Sequence, residues 1–158
     1  MKTHSKKDVQ DNVQDNIQND DYTTVLVGLA KKLSPSSTGL IGYEVAKDLK
    51  SNVLYIRLTS NSDGGLFSKE WIKLDEIYDL IQKLGDKPFN SSVFKALFQS
   101  GSANNTSFIA AVLRHEELAL IQPTEKKVFL HLANPLIVNQ QDRIAKLKPL
   151  ATPNKVTK

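Results

Sequence analysis

Asn52-Val53-Leu54-Tyr55-Ile56-Arg57-Leu58-Thr59, the turn Asn61-Ser62-Asp63-Gly64-Gly65, and then Leu74-Asp75-Glu76-Ile77-Tyr78-Asp79-Leu80-Ile81-Gln82-Lys83-Leu84 decide the fold, because the apolar period changes across them from two to 3.6. In the first run Leu54, Ile56 and Leu58 fall on one side and Val53, Tyr55, Arg57 and Thr59 on the other, the signature of a strand laid on a core. Asp63-Gly64 and Gly64-Gly65 supply the positive φ that a tight reversal needs. In the last run Ile77, Leu80, Ile81 and Leu84 form one stripe of a helix over 74–84, stopped by Gly85. Asp75 and Glu76 suit the positive end of its dipole. The fold class is therefore α+β: an N-terminal β-hairpin or meander followed by a helical unit.

Towards the N-terminus, Leu40–Ala46 pairs with 52–59 as a hairpin through the polar connector 47–51. Leu66-Phe67-Ser68 suits a brief third strand. Ser34-Pro35-Ser36-Ser37-Thr38-Gly39 breaks the chain before the hairpin. In the segment from Tyr22 on, Val25, Leu29 and Leu33 fit a helix face, Thr23–Val27 fits a strand, and Gly28 weakens both; the expectation is a short helix. Residues 1–21 hold a degenerate repeat, Val9-Gln10-Asp11-Asn12, Val13-Gln14-Asp15-Asn16, Ile17-Gln18-Asn19-Asp20. Three aliphatics among so many polar residues bury too little to offset ordering entropy, so a disordered lead is expected, with a partner-induced helix as the alternative.

Towards the C-terminus, Asn90 or Ser91 is placed to cap a second helix carrying Val93, Phe94, Leu97 and Phe98 and closed by Gly101. Asn104 or Asn105 is placed to cap a third, running to about Glu117, with Phe108, Ile109, Val112 and Leu113 inward. Leu118–Gln122 and Lys127–Ala133 then read as a second hairpin. Asn134 and Pro135 can start a last helix through Ile137 and Ile144, and residues 150–158 read as loose. Four units follow: a lead over 1–21, a hairpin unit over 22–73, a three-helix and hairpin unit over 74–133, and a short helix with a basic tail over 134–158.

The order helix, helix, turn at Gly101–Ala103, helix, hairpin over residues 74–133 resembles the winged helix-turn-helix domains. That resemblance implies a non-catalytic nucleic-acid-binding protein, a transcriptional regulator or an accessory factor in DNA transactions. It implies that the third helix meets duplex DNA through Asn104, Asn105, Thr106, Ser107 and Arg114, and that Lys126, Lys127 and Lys95 contact phosphate. The charge distribution speaks against a strong grip. The net charge is +4, yet residues 74–133 hold six basic and seven acidic residues, which gives −1, while 22–73 gives +3 and 134–158 gives +4. The alternative is an adaptor whose partner is another protein or a second copy of the chain.

Nothing in the sequence converges as catalytic chemistry requires. His4, His115 and His131 form no metal-binding pair, and His115 and His131 read as structural. The single Trp71 reads as an anchor of the hairpin on the helical core, or else as a docking aromatic. No cofactor and no metal are expected. With no cysteine there is no disulfide framework, and with no long apolar run and no apolar signal core the expected location is cytoplasmic, away from membranes.

Overall fold

A computed structural model describes residues 21–150. The expectations for residues 1–20 and 151–158 lie outside it. The first half is a four-stranded antiparallel meander in the order β1-β2-β3-β4, with β1 Tyr22–Lys31, β2 Leu40–Asp48, β3 Leu54–Asn61 and β4 Ile72–Lys73. The alternation read in 52–59 holds: Ile56 and Leu58 are fully buried, and Arg57 lies on the outer face. Val45 pairs with Ile56 and Tyr43 with Leu58, so β2 and β3 present one apolar face to the core. Gly64 and Gly65 take the left-handed φ of +80° and +96° at the turn that follows.

The segment expected as a short helix is β1. Thr23, Thr24, Val25 and Val27 are β-branched and stiff at χ1, which suits a pleated surface. Gly28 lies across from Tyr43, and a Cβ there would stand 2.6 Å from the phenol, so the tyrosine packs directly on the glycine backbone. Pairing with β2 and this close approach override the weak helical period. The register shifts by one residue between Thr24 and Leu26, a bulge at Val25. Leu66–Ser68, expected as a strand, forms none. Its backbone is instead tied to the next unit: Ser102 Oγ and Asn104 Nδ2 each donate to the Leu66 carbonyl at 2.8 Å, and Ser68 N donates to Asn105 Oδ1 at 2.8 Å.

The second half begins with α1, Leu74–Lys83, whose Leu74, Ile77, Tyr78 and Ile81 are buried and whose end is marked by Gly85 at φ +63°. β5, Phe89–Asn90, leads into a 3-10 helix, Ser91–Leu97, at the place expected for an α-helix. Asn90 caps it as expected, accepting from Ser92 N at 2.9 Å. Then follow α2, Asn104–Arg114, the strands β6, Ile121–Pro123, and β7, Leu130–Ala133, and finally α3, Ile137–Ala145. The three short strands form a second antiparallel sheet in the order β5-β7-β6. α2 is the hub. It touches β1, β2, β6 and the 3-10 helix, and every residue from Phe108 to Leu113 is buried. Each large aliphatic buried there contributes about 1.5–3 kcal/mol.

Candidate functional site

In an antiparallel ladder, alternate residues turn their N–H and C=O towards the partner strand, and the others turn theirs away. Lys32 N donates to Gly39 O, continuing the β1–β2 ladder, so Ala30, Gly28 and Leu26 also face β2. Lys31, Leu29 and Val27 therefore direct their backbone groups outward. The bulge at Val25 resets the alternation and leaves Thr24 outward as well. Leu150 N donates to the Thr24 carbonyl at 2.9 Å, so the chain after α3 meets the start of this edge. Among the described residues no hydrogen bond reaches the outward groups of Val27, Leu29 and Lys31. The side chains of Val27 and Leu29 are each 56% exposed, an unusual pair of aliphatics for an unpartnered edge.

Beside this edge lies an open groove of about 580 Å³. Leu29, Leu33, Leu40 and Ala111 give it an apolar floor. Lys31, Lys32 and Arg114 stand around it with His115 and Glu116, three cations against one carboxylate. Lys32 is held at 2.8 Å by Asp63, whereas Lys31 is exposed and forms no ion pair among the described residues. The groove thus combines an unpaired strand edge, apolar contacts and positive charge, with the C-terminal end of α2 as its far wall.

The residues assigned from the sequence to a DNA-reading face are dispersed. Asn105 is 1% exposed, its carbonyl oxygen accepts from Ser68 N, and its amide donates to Ser100 O at 3.4 Å. Asn104 is bound to Leu66, and neither asparagine caps α2. Its N-cap is Ala103, with no side-chain cap, while Ser102 Oγ accepts from Asn104 N at 3.3 Å. Ser107 Oγ donates to the Asn104 carbonyl, and Thr106 is half-buried beside it. Arg114, at the other end of the helix, donates to the carbonyls of Val128 at 2.5 Å and Leu130 at 3.4 Å. Lys95, Lys126 and Lys127 are exposed, on the 3-10 helix and on the loop between β6 and β7. For α2 to enter a major groove, the meander packed on it would have to leave.

Ser91 and His131 are placed like a nucleophile and its base, with Oγ 2.9 Å from Nε2. The polarity is wrong for that chemistry. Arg114 Nε and one terminal nitrogen lie 3.1 and 2.9 Å from His131 Nδ1, and arginine only donates. Nδ1 is then the acceptor, Nε2 carries the proton, and Nε2–H donates to Ser91 Oγ. The imidazole has no lone pair left to take the serine proton. Burial, with the nearby guanidinium, pulls the pKa of His131 down to about 4 and keeps it neutral. His115 is also engaged, its Nδ1 2.7 Å from Tyr43 Oη. Burial drives the Tyr43 phenol well above its ordinary range, so it stays protonated.

Trp71 is on neither the core nor a free surface. Its ring lies parallel to Tyr22 at 5.5 Å, and the Arg57 guanidinium sits 4.4 Å from its centroid. Arg57 also forms an ion pair of 2.9 Å with Glu44, which accepts from Thr24 Oγ1. Among the described residues no group of three or more histidine, aspartate or glutamate side chains is placed to hold a metal, and no helix is long and apolar enough to cross a membrane. The edge of β1 was missed from the sequence; the one available sign was Val27 and Leu29 beside Lys31, read there as part of a helix. Comparison of the chain with family models, curated proteins and solved structures gives no match.

Proposed function

We propose that this chain is a non-catalytic protein-interaction module that accepts an extended segment as a fifth strand on β1. The observation that carries this reading is the run of outward backbone groups at Val27, Leu29 and Lys31, the last two of which line a groove with an apolar floor. Main-chain pairing would supply affinity, and the pocket beside Leu29, Leu33 and Leu40 would supply selection. Leu29→Pro is the direct test, because it removes an N–H that β2 does not use and leaves the internal ladder intact. Binding of short acidic, aliphatic synthetic peptides is expected in the parent chain and lost in Leu29→Pro. Equal binding by both chains would refute strand addition.

Contact with duplex DNA is the second reading. It draws on the helix and strand order of the second half, on the sheet order β5-β7-β6, and on Lys126 and Lys127 exposed between two of its strands. In this reading the hairpin loop and the basic residues in the last turn of α3 and after it, Arg143, Lys146 and Lys148, contact phosphates, and α2 contributes structure alone. A duplex titration at two salt concentrations tests it. Affinity that falls steeply with salt and weakens in Lys126→Ala with Lys127→Ala supports it, and absence of binding at low salt removes it.

A further inference from the structure

We infer that the strand seated on the β1 edge is β1 of a second copy of this chain, antiparallel and with a two-fold axis through Leu29; this rests on the strand-addition reading above. Symmetry fixes the register. A symmetric pair sets outward residues of one copy against outward residues of the other, because only these have backbone groups to exchange. The outward residues are Val27, Leu29 and Lys31, and an axis through Leu29 is the one that maps all three onto outward residues. Leu29 then faces Leu29 of the second copy, and Val27 faces its Lys31. Each facing pair exchanges both N–H···O bonds, so no outward group of these three residues is left over. An axis through Gly28 leaves Lys31 unmatched, and one through Ala30 leaves Val27 unmatched. An axis through Lys31 sets the two lysines face to face, which is unfavourable.

The ends of the edge suit the same window. Leu150 N holds the Thr24 carbonyl and the bulge stands at Val25, so the free edge starts at Val27. Lys31 of the second copy lies opposite Val27. Past it that chain stays with its own β2, where Lys32 N donates to Gly39 O, and it turns back at Ser34–Ser37. The incoming strand therefore stops short of Leu150. Charge agrees as well. Val27 faces Glu44 across β1 and β2, and Glu44 faces Arg57 across β2 and β3. The outer face of the pair thus reads Lys31 of the second copy, Val27, Glu44, Arg57. Lys31, exposed and without an ion pair among the described residues, lays its stem over Val27 towards a carboxylate, and symmetry repeats the contact. The two copies of Lys31 stand about 13 Å apart along the ladder at roughly 3.3 Å per residue, beyond the ~8 Å screening length. Lys32, held by Asp63, takes no part. The residues covered are Val27 and Leu29, the two exposed aliphatics of the strand. An interface of two short strands falls below about 1,200 Å², the range of transient association.

The test uses the full chain and sedimentation from about 10 μM to about 1 mM, where the parent is expected to pass from monomer to dimer. Val27→Lys sets a lysine against Lys31 on both sides of the axis and is expected to weaken the dimer at least about tenfold. Adding Lys31→Glu to that variant makes both contacts attractive and restores the dimer, which neither a loss of fold nor another register would do. Leu29→Pro, which removes an N–H at the axis, is expected to stay monomeric. A parent that is monomeric at about 1 mM refutes self-pairing. So does a dimer indifferent to Val27→Lys, or one that Lys31→Glu does not rescue. In any of these cases, binding of acidic, aliphatic synthetic peptides by the parent and not by Leu29→Pro leaves strand addition standing, with an external partner. Equal binding by both chains, or none by either, refutes both.

Discussion

β1 and α2 lie against each other, yet they meet their surroundings in opposite ways. α2 is enclosed by β1, β2, β6 and the 3-10 helix, its backbone groups are bonded within the helix, and the polar side chains at its two ends are bonded to loops. β1 is covered on one face and along one edge only, and its remaining edge offers backbone groups that the rest of the described chain does not satisfy. The difference teaches where recognition can reside here. A helix used as the central support of a small protein has no face left to offer, whereas a strand at the end of a meander keeps its hydrogen-bonding capacity in reserve. The contrast between support and docking edge predicts an unequal response to change.

The largest effect is expected in α2. Ile109→Ala removes a fully buried side chain and should cost about 2–5 kcal/mol in denaturant unfolding. A cost below about 1 kcal/mol would show that α2 is not the central support. Next is the anchor of α2 on the second sheet. His131 is neutral when folded down to pH about 4, whereas in the unfolded chain it takes up a proton near its ordinary pKa of 6.5. Stability should therefore fall as the pH drops from about 6.5 to about 4, by up to roughly 3 kcal/mol, and level off below. Unfolding measured across that range should show the slope in the parent and not in His131→Gln.

Gly28→Val comes third. Its side chain would strike the Tyr43 phenol and disturb the bond to His115, so a loss of about 1–3 kcal/mol is expected by thermal or denaturant unfolding. The smallest effect belongs to the exposed side of the edge: Leu29→Thr keeps strand propensity and should change stability by less than about 0.5 kcal/mol while weakening peptide binding. A large loss of stability there would mean that Leu29 belongs to the core, and the contrast between the two elements would collapse.

The features legible in the sequence are those fixed by local period and special backbone geometry. The alternation around Ile56 and Leu58, the stripe of α1, the stop at Gly85 and the start of α3 near Asn134 all follow from residues close together in the chain. Asn134 Oδ1 accepts from Leu136 N at 2.9 Å, yet the helix itself begins later than expected, at Ile137, with Leu136 as its N-cap and no side-chain cap. What escaped depends on neighbours distant in sequence. Gly28 looks like a breaker until Tyr43 is packed on it. Asn104 and Asn105 look like caps until Leu66 and Ser68 arrive as partners. The docking edge is less legible still, because being the last strand of a sheet is a property of topology and leaves no mark on the strand itself. The groove, shared by β1 and the end of α2, joins Leu29 to Glu116 and has no local signature.

The stacking of Trp71 on Tyr22 has an optical consequence. The chain holds one tryptophan, and it rests against the first residue of the strand whose edge is in question, under a guanidinium held by Glu44. Its indole emission is thus a native beacon at the root of β1. Events that lift Tyr22 or release Arg57 will alter its colour and intensity, so occupancy of the strand can be followed by light without attaching a dye.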